Sequence, residues 1–311
     1  MKNRFEELGT LIALLIPISF IAVGGYLQYV TGFVLLFLIQ GYVAWFLYFK
    51  SGQPFFGYSV SMGLGAYATV VLNVKFAWPL WAGMLVGALL ATLVLVAIFL
   101  VTSRARGFYV SMASFLLAVL FPQLVLALFK ITGGHSGLYF DGLPSIIGAN
   151  SFYLIIIFSA VAIALVLMAI MRSKTGAILT LITENDSLAQ AMGINTFRYK
   201  VLAYAIAGFL SGLGGGLYVN YTGYISATDI EVFTTVYIFF IPLIGGYSKC
   251  YGPLIGALVV ILAPEMMADL ERYIHVLMGA LFITVVMLLP HGIALGLENA
   301  VVRLFRSRWP A

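Results

Sequence analysis

Few side chains in this sequence are of types that carry out catalysis or bind metals, and they form no recognisable set. The histidines His135, His275 and His291 lie far apart, and neither an H-E-x-x-H nor a G-x-x-x-x-G-K-[ST] pattern occurs. These patterns hold zinc and nucleotide phosphates, so we expect no metal site and no ATP site in this chain. Ser136 directly follows His135, which is poor geometry for a nucleophile and its base. We therefore expect a protein that is not an enzyme.

Polar residues within the long apolar stretches are neutral. A charge at the centre of a bilayer would cost roughly 2.5–3.5 kcal/mol and would mark an ion or proton pathway. The absence of such charges argues against a carrier that couples transport to ions through carboxylates, and it favours energy supplied by a partner protein. The neutral polar residues are Gln40, Ser61, Thr69, Ser111, Ser114, Gln123, Asn220, Thr234 and Thr235.

The composition is that of a membrane protein. Of the 311 residues, 63% are hydrophobic and 9% are charged, whereas soluble domains average about 45–50% and about 25%. These values exclude a soluble enzyme, a disordered chain and a secreted disulfide scaffold, and the one cysteine, Cys250, has no internal partner for a disulfide. We predict an all-α, polytopic integral membrane protein.

Uncharged intervals predict about ten transmembrane helices. The 42 residues from Leu8 to Phe49 hold no charge and are long enough for two spans, since one span needs about 20 apolar residues. Each of eight further intervals predicts one span. These are 51–74, 76–103, 107–129, 142–171, 201–228, 232–248, 250–264 and 273–297.

Basic residues predict the orientation, because Lys and Arg concentrate in cytoplasmic loops. With a cytoplasmic N-terminus and ten crossings, only Lys75, Lys130 and Arg272 of the 16 basic residues lie outside. The other 13 lie on the cytoplasmic side, namely Lys2, Arg4, Lys50, Arg104, Arg106, Arg172, Lys174, Arg198, Lys200, Lys249, Arg303, Arg306 and Arg308.

The chain is predicted to form a single transmembrane domain, 1–311, with three segments outside the bilayer. A glycine-rich external loop covers about 130–150, and a cytoplasmic loop covers about 172–200. In the cytoplasmic loop, Thr183 as N-cap and Gly193 as stop predict a short helix lying flat on the membrane surface, with a solvated loop helix as the alternative. The tail at about 293–311 is predicted to be an amphipathic basic helix, with a solvated basic end as the alternative.

Two predicted spans are short and are interrupted by helix breakers. Interval 232–248 contains Pro242, Gly245 and Gly246, and interval 250–264 contains Gly252 and Pro253. Short, interrupted spans indicate a substrate path in transporters, whereas tight helix packing is the alternative use of small residues. Both interpretations remain open for these five residues.

Seven motifs in order resemble the LivM-type permease subunit of branched-chain amino-acid ABC transporters, within the LivH/LivM permease family. The resemblance covers roughly 51–293. The motifs are a glycine-rich segment at 51–67 that ends in G-x-G-A-Y, R-x-R-G-x-Y at 104–109, T-G-G-x-x-G-L at 132–138, A-x-x-x-G-I-N followed by a lysine at 189–200, a small-residue run at 207–218, a G-G and G-P-x-x-G-A pair within 245–257, and P-x-G at 290–292.

The resemblance implies a permease of the bacterial or archaeal cytoplasmic (inner) membrane. It implies a LivH-like sister permease, an extracytoplasmic substrate-binding protein, and two ATPase subunits that bind ATP and Mg²⁺. It implies no cofactor in this chain itself and no nucleic-acid partner. By position, the segment that couples to the ATPases comprises Glu184, Asn185, Asp186, Ala189 and Gly193, and the residues at the external gate are Thr132, Gly133, Gly134 and Gly137.

Departures from the family pattern leave the substrate open. Residues 56–62 lack the histidine of the usual early motif, and Ser248 replaces a glycine of the G-G-x-G segment. Branched-chain amino acids are the first expectation, with urea, amides or another small carboxylate as alternatives. A stand-alone carrier or channel is a further alternative.

Overall fold

The computed structural model is a helical bundle, and it describes residues 9–10, 17, 25–103, 108–267, 273–289 and 292–296. The long helices are α1 (Gly25–Ala44, continued by a π-helical turn at Trp45–Lys50), α2 (Tyr58–Phe76), α3 (Leu80–Thr102), α4 (Phe108–Ala127), α7 (Ala149–Arg172), α10 (Thr196–Thr222), α11 (Val232–Gly245), α12 (Gly252–Met266) and α13 (Ile274–Leu288). The short helices are α5 (Phe129–Thr132), α6 (Leu143–Ile147), α8 (Lys174–Glu184) and α9 (Asp186–Ala191), and the strands are β1 (Leu138–Tyr139) and β2 (Tyr224–Ile225).

This architecture confirms an all-α, polytopic membrane protein. Each of the eight intervals after residue 50 contains one long helix, and α1 occupies the second half of the 42-residue interval. Among the described residues, six helices are long and apolar enough to cross a membrane, while α12 and α13 are shorter apolar helices. The first predicted span and most of the predicted basic tail lie outside the described residues. Ten crossings and the cytoplasmic N-terminus therefore stay predictions.

Hydrogen bonds connect loops at each end of the bundle, and the connected loops are those that the charge pattern assigned to the same side. At the predicted outer end, the Lys75 ammonium donates to the carbonyl of Lys130 at 2.5 Å, and Gln28 donates to Asn150 at 3.0 Å. At the predicted inner end, the Thr183 hydroxyl donates to the carbonyl of Lys50 at 3.1 Å. The structure thus joins loops that the charge pattern assigned to one side.

The core is built around α1, which is the most buried of the six long apolar helices. Two of its side chains bond to the loop between α11 and α12. The Trp45 Nε1 donates to the Tyr247 carbonyl at 2.8 Å, and the Tyr42 hydroxyl donates to the Cys250 carbonyl at 3.1 Å. These bonds satisfy polar groups that hydrocarbon leaves without partners, and they fix the α11–α12 turn against the centre of the bundle.

Helices α2, α3 and α10 form a second tightly packed unit through glycines. A Cβ placed at Gly208 would lie 2.7 Å from the Thr92 Cα, and one at Gly212 would lie 2.7 Å from the Ala88 Cα. Backbones approach this closely only where side chains are absent. The spacing Gly208-x-x-x-Gly212 therefore serves helix packing, as its small-xxx-small pattern predicts.

Candidate functional site

The predicted coupling segment forms two short helices joined at Asn185. Helix α8 ends at Glu184, and the Asn185 side chain caps α9 by accepting from the Leu188 amide at 3.0 Å. The predicted N-cap at Thr183 is wrong, because Thr183 lies within α8 and its hydroxyl donates back to Leu179 at 2.9 Å. The N-cap lies two residues later because Ile182 and Leu179 are buried, and their burial extends α8 to Glu184.

Gly193 ends the segment as its glycine predicts. It adopts a φ of +80°, a conformation that costs glycine little because it has no Cβ. The Gly193 amide donates to Gln190 at 2.9 Å, and the following Ile194 amide donates to the Ala189 carbonyl at 3.1 Å. These bonds satisfy carbonyls at the helix end and reverse the chain toward α10.

Helix α9 presents one face to the bundle and the other outward. Ala189 is fully buried, whereas Leu188 and Met192 are 49% and 56% exposed. Asp186 forms an ion pair with Lys200 at 2.8 Å, which attaches the beginning of α9 to α10. The structure therefore brings the five predicted coupling residues onto one segment, with two apolar side chains projecting from it. Sequence reasoning missed the ion pair between Lys200 and Asp186, whose i+14 spacing gives no local signal.

A cavity of about 580 Å³ lies between this segment and the membrane helices. Its walls include Gln53, Thr102 and Gln190, together with the Asp186–Lys200 pair. Gly52, which has a φ of +63°, packs against the Thr183 backbone at its edge. Space above a surface helix leaves room for that helix to move relative to the bundle.

The external glycine-rich loop forms a compact, hydrogen-bonded turn. The Thr132 hydroxyl donates to the Val125 carbonyl at 2.6 Å and accepts from the Gly134 amide at 3.3 Å. Gly133, Gly134 and Gly137 all have positive φ, at +77°, +59° and +65°. The four residues predicted at the gate thus form one turn, and their types match the backbone that the turn requires.

This loop is attached to the predicted outer end of α10. Strand β1 pairs antiparallel with β2, with Leu138 opposite Ile225. Next to it, the Leu143 amide donates to the Asn220 side chain at 3.2 Å, and the Asn220 amide group donates to the Gly216 carbonyl at 2.8 Å. Asn220 is therefore a structural anchor for the external loop.

Four of the five breaker residues lie at a close helix crossing at the predicted inner end. Gly245, Gly246, Gly252 and Pro253 are buried, and a Cβ at Gly245 would overlap the Gly252 carbonyl oxygen. Pro242 lies inside α11, where its ring removes one backbone hydrogen bond. This geometry agrees with the packing alternative for the four crossing residues, and the substrate-path interpretation of these positions stays a prediction.

A buried polar network at mid-bundle was partly visible in the sequence. The Ser211 hydroxyl donates to the side-chain oxygen Oε1 of Gln40 at 2.7 Å, while the side-chain nitrogen Nε2 of Gln40 donates to the backbone carbonyl of Ser211 at 3.0 Å. Ser61 completes the network at 2.7 Å from the Ser211 hydroxyl. These fully paired groups join α1, α2 and α10, so the neutral residues Gln40 and Ser61 hold helices together.

The Asp229 carboxylate accepts three hydrogen bonds at the predicted outer end, and these bonds were not among the sequence-based predictions. One carboxylate oxygen accepts from the Ser226 amide and hydroxyl at 2.7 and 2.9 Å, and the other accepts from the Tyr218 hydroxyl at 3.3 Å. The available signal was the Ser-x-x-Asp spacing, which favours such local bonds. Among the described residues, no group of three metal-binding side chains occurs.

Comparison with known proteins identifies the family. Residues 26–286 match the family model described as the permease component of branched-chain amino acid transport systems. The chain belongs to this family. Together with its apolar helices, this membership makes it a multi-pass protein of the inner membrane.

The relatives are distant. The chain is 21% identical to the high-affinity branched-chain amino acid transport system permease protein LivM of Escherichia coli K12 over 271 residues, which is 78% of this chain and 64% of LivM. It is 30% identical to the probable permease LivH of Methanocaldococcus jannaschii over 29% of this chain and 28% of LivH. It is 29% identical to the ribose import permease protein RbsC of Haemophilus influenzae over 33% of this chain and 34% of RbsC.

Less than two thirds of the length of LivM is matched by this chain. The activity, substrate and partners of the whole transporter are therefore treated below as proposals. No solved structure matches the chain.

Proposed function

We propose that the chain is the permease subunit of an ATP-binding-cassette importer that moves a branched-chain amino acid across the inner membrane. The family match over residues 26–286 carries this proposal. The neutral spans add support, because a chain without intramembrane charge lacks the usual groups for ion coupling. Urea, amides or another small carboxylate remain alternative substrates in the same importer class.

The proposed assembly contains a LivH-like sister permease, two ATPase subunits and an extracytoplasmic substrate-binding protein. The ATPases would hold ATP and Mg²⁺, and this chain would receive the movement that follows nucleotide binding. The exposed Leu188 and Met192 on α9 supply the contact in this proposal. Apolar side chains on a short surface helix fit a hydrophobic groove of a partner.

Coupling would pass from α9 into the bundle through two connections. The Asp186–Lys200 ion pair joins α9 to α10, and the hydrogen bond from Thr183 to the Lys50 carbonyl joins α8 to the end of α1. A displacement of the surface helices would then tilt both membrane helices. Alternate exposure of a central path to each side follows from such rocking of two permeases.

Reconstitution tests this proposal directly. Proteoliposomes containing this chain, the sister permease and the ATPases, with the binding protein outside, should accumulate labelled leucine when ATP is present inside. Replacing the P-loop lysine of the partner ATPase should abolish accumulation, and excess unlabelled urea or acetamide should not compete. Gradient-driven flux through this chain alone, unaffected by ATP, would instead establish a stand-alone carrier or channel.

A further inference from the structure

Two cavities open on the surface of the bundle between α4 and α11 with the segment that precedes α11, and together they define a groove. Toward the predicted outer end it widens into a cavity of about 290 Å³, whose walls include Pro122, Gln123, His135, Thr228 and Glu231. Toward the inner end it widens again to about 330 Å³. The inner walls include Phe56, Met112, Phe115, Phe239 and Phe240.

The two cavities lie on one line. Helices α4 and α11 run in opposite directions, so residues 111–115 face 236–240 and residues 119–126 face 226–232. Three residues on each chain segment, 116–118 and 233–235, separate the two sets, so the step from one set to the next is about one helical turn. From residue 111 to residue 126 the groove therefore extends roughly 22 Å along the bundle, a large part of the hydrocarbon thickness.

The outer cavity has polar walls on a surface that would otherwise contact lipid. Gln123 lies within the apolar helix α4 and its side chain is exposed, and Glu231 and His135 are exposed beside the same cavity. Ionisable and amide groups are costly in contact with hydrocarbon and normally line a cavity or face protein. This face of the bundle therefore borders water or a polar solute.

The chemistry changes along the groove in the order that an apolar amino acid requires. At the outer cavity, the Glu231 carboxylate suits an ammonium group, while Gln123 and Thr228 offer donors to a carboxylate. Below it, aromatic rings and Met112 suit an aliphatic side chain, and the Phe56 and Phe239 ring centroids lie 4.5 Å apart with their planes tilted by 46°. The inner cavity has an apolar surface, because the hydroxyl of Ser111, its one hydroxyl-bearing wall residue, donates to the Pro54 carbonyl at 3.4 Å.

We infer that this groove is the half of the translocation path contributed by this chain, and that it takes a zwitterionic amino acid with an apolar side chain. The inference rests on the proposed function, since a path open along one side needs a second permease to close it. It assigns Glu231 to the substrate ammonium and the inner cavity to the side chain. The path then lies on the far side of α11 from the glycine crossing.

Cysteine accessibility in the assembled transporter tests the groove. In the Cys250→Ser background, Met112→Cys and Phe115→Cys place thiols in the groove, while Leu93→Cys and Leu165→Cys place matched thiols on exposed apolar faces of α3 and α7. A charged, water-soluble methanethiosulfonate should label the groove thiols on the order of tenfold faster, because the reactive thiolate forms in water and not in lipid. Excess leucine should slow that labelling, and excess ribose should not.

Equal labelling rates at all four positions would overturn the inference, and they are the result expected if lipid fills the groove. Transport need not occur for the reagent to react, so this outcome is separable from failure of the proposed function, which absence of ATP-dependent leucine uptake by the unmodified complex would show. Labelling of the groove thiols that leucine leaves unchanged would also overturn the assigned substrate.

A second variant tests the role of Glu231. Losing a hydrogen bond to a charged group costs roughly 1.5–3 kcal/mol, so Glu231→Gln should raise the KM for leucine about tenfold or more without changing the labelling rate at Met112→Cys. Glu265→Gln, at the same end but on α12, is the matched control and should leave the KM unchanged. An unchanged KM in Glu231→Gln would remove Glu231 from the path.

Discussion

Glycine residues at the α11–α12 crossing determine how closely these two helices approach. A Cβ at Gly245 would overlap the carbonyl oxygen of Gly252, and one at Gly256 would overlap that of Ile241. Both obstacles are backbone atoms, which cannot rotate out of the way as a side chain would. The tolerance of these positions to a larger side chain therefore depends on the separation of the two helices.

Gly245→Ala should destabilise the protein by about 1–3 kcal/mol, the usual cost of overpacking. Gly279→Ala on α13 is the matched control, because a Cβ there meets nothing within 4 Å, and alanine in a helix is favoured over glycine by roughly 0.5–1 kcal/mol. Melting temperatures of the two purified variants in detergent measure the difference. A Gly245→Ala protein as stable as Gly279→Ala would show that the crossing is looser than described.

Local sequence rules predicted some of these residues well and failed for others. Gly193 was correctly assigned as a helix stop, because its role depends on its own backbone angle. Thr183 was wrongly assigned as an N-cap, because Asn185 is an equally good capping residue and the choice depends on how far α8 extends. That length is fixed by the burial of Leu179 and Ile182, which is a tertiary effect.

The surface helix α9 and its C-cap residue carry two exposed apolar side chains, those of Leu188 and Met192. If α9 is the ATPase contact, Met192→Asp should strongly reduce co-purification of the ATPases, because a carboxylate would be buried against an apolar partner. The melting temperature of the isolated permease should change little, since Met192 is 56% exposed.

Met266→Asp provides the matched control for this variant. Met266 is 86% exposed at the end of α12, on the opposite side of the bundle, so its replacement should leave ATPase co-purification intact. Equal co-purification with both variants would exclude α9 as the contact, and equal loss would indicate a general defect in assembly.

The external loop requires glycine more strictly at Gly137 than at Gly148. Gly137 and Gly148 both have positive φ, but a Cβ at Gly137 would overlap the Ile225 carbonyl, whereas one at Gly148 meets nothing within 4 Å. Gly148→Ala should therefore cost about 1–3 kcal/mol of backbone strain, and Gly137→Ala should also separate β1 from β2. Amide hydrogen exchange at Phe140, whose amide donates to the Gly223 carbonyl at 3.1 Å, distinguishes them, and unchanged protection in Gly137→Ala would contradict this pairing.

Helix positions followed from the uncharged intervals, but contacts between distant segments did not. The intervals located α1 to α4 and α7 because hydrocarbon demands continuous apolar sequence. The β1–β2 pairing joins Leu138 to Ile225, and the Asp186–Lys200 pair joins two helices. Such pairings depend on how the chain returns through the bundle, which apolar periodicity does not specify.

At the level of the entire bundle, the orientation in the membrane is a testable prediction. Ile146 on α6 is 68% exposed at the predicted outer end, and Thr180 on α8 is exposed at the predicted inner end. In the Cys250→Ser background, a membrane-impermeant maleimide should label Ile146→Cys in intact cells. It should label Thr180→Cys only after permeabilisation, and the reverse pattern would invert the orientation.

Helix α10 connects the two ends of the molecule as a rigid rod. Its 27 residues, Thr196 to Thr222, extend roughly 40 Å at a rise of 1.5 Å per residue. The rod begins just after α9 and is held to it by Lys200, and β2 follows its far end and pairs with the external loop. A stiff helix does not absorb a small displacement along its length. We therefore expect a push of a few ångströms on α9 to reach the external loop nearly undiminished, without a relay of side chains between them.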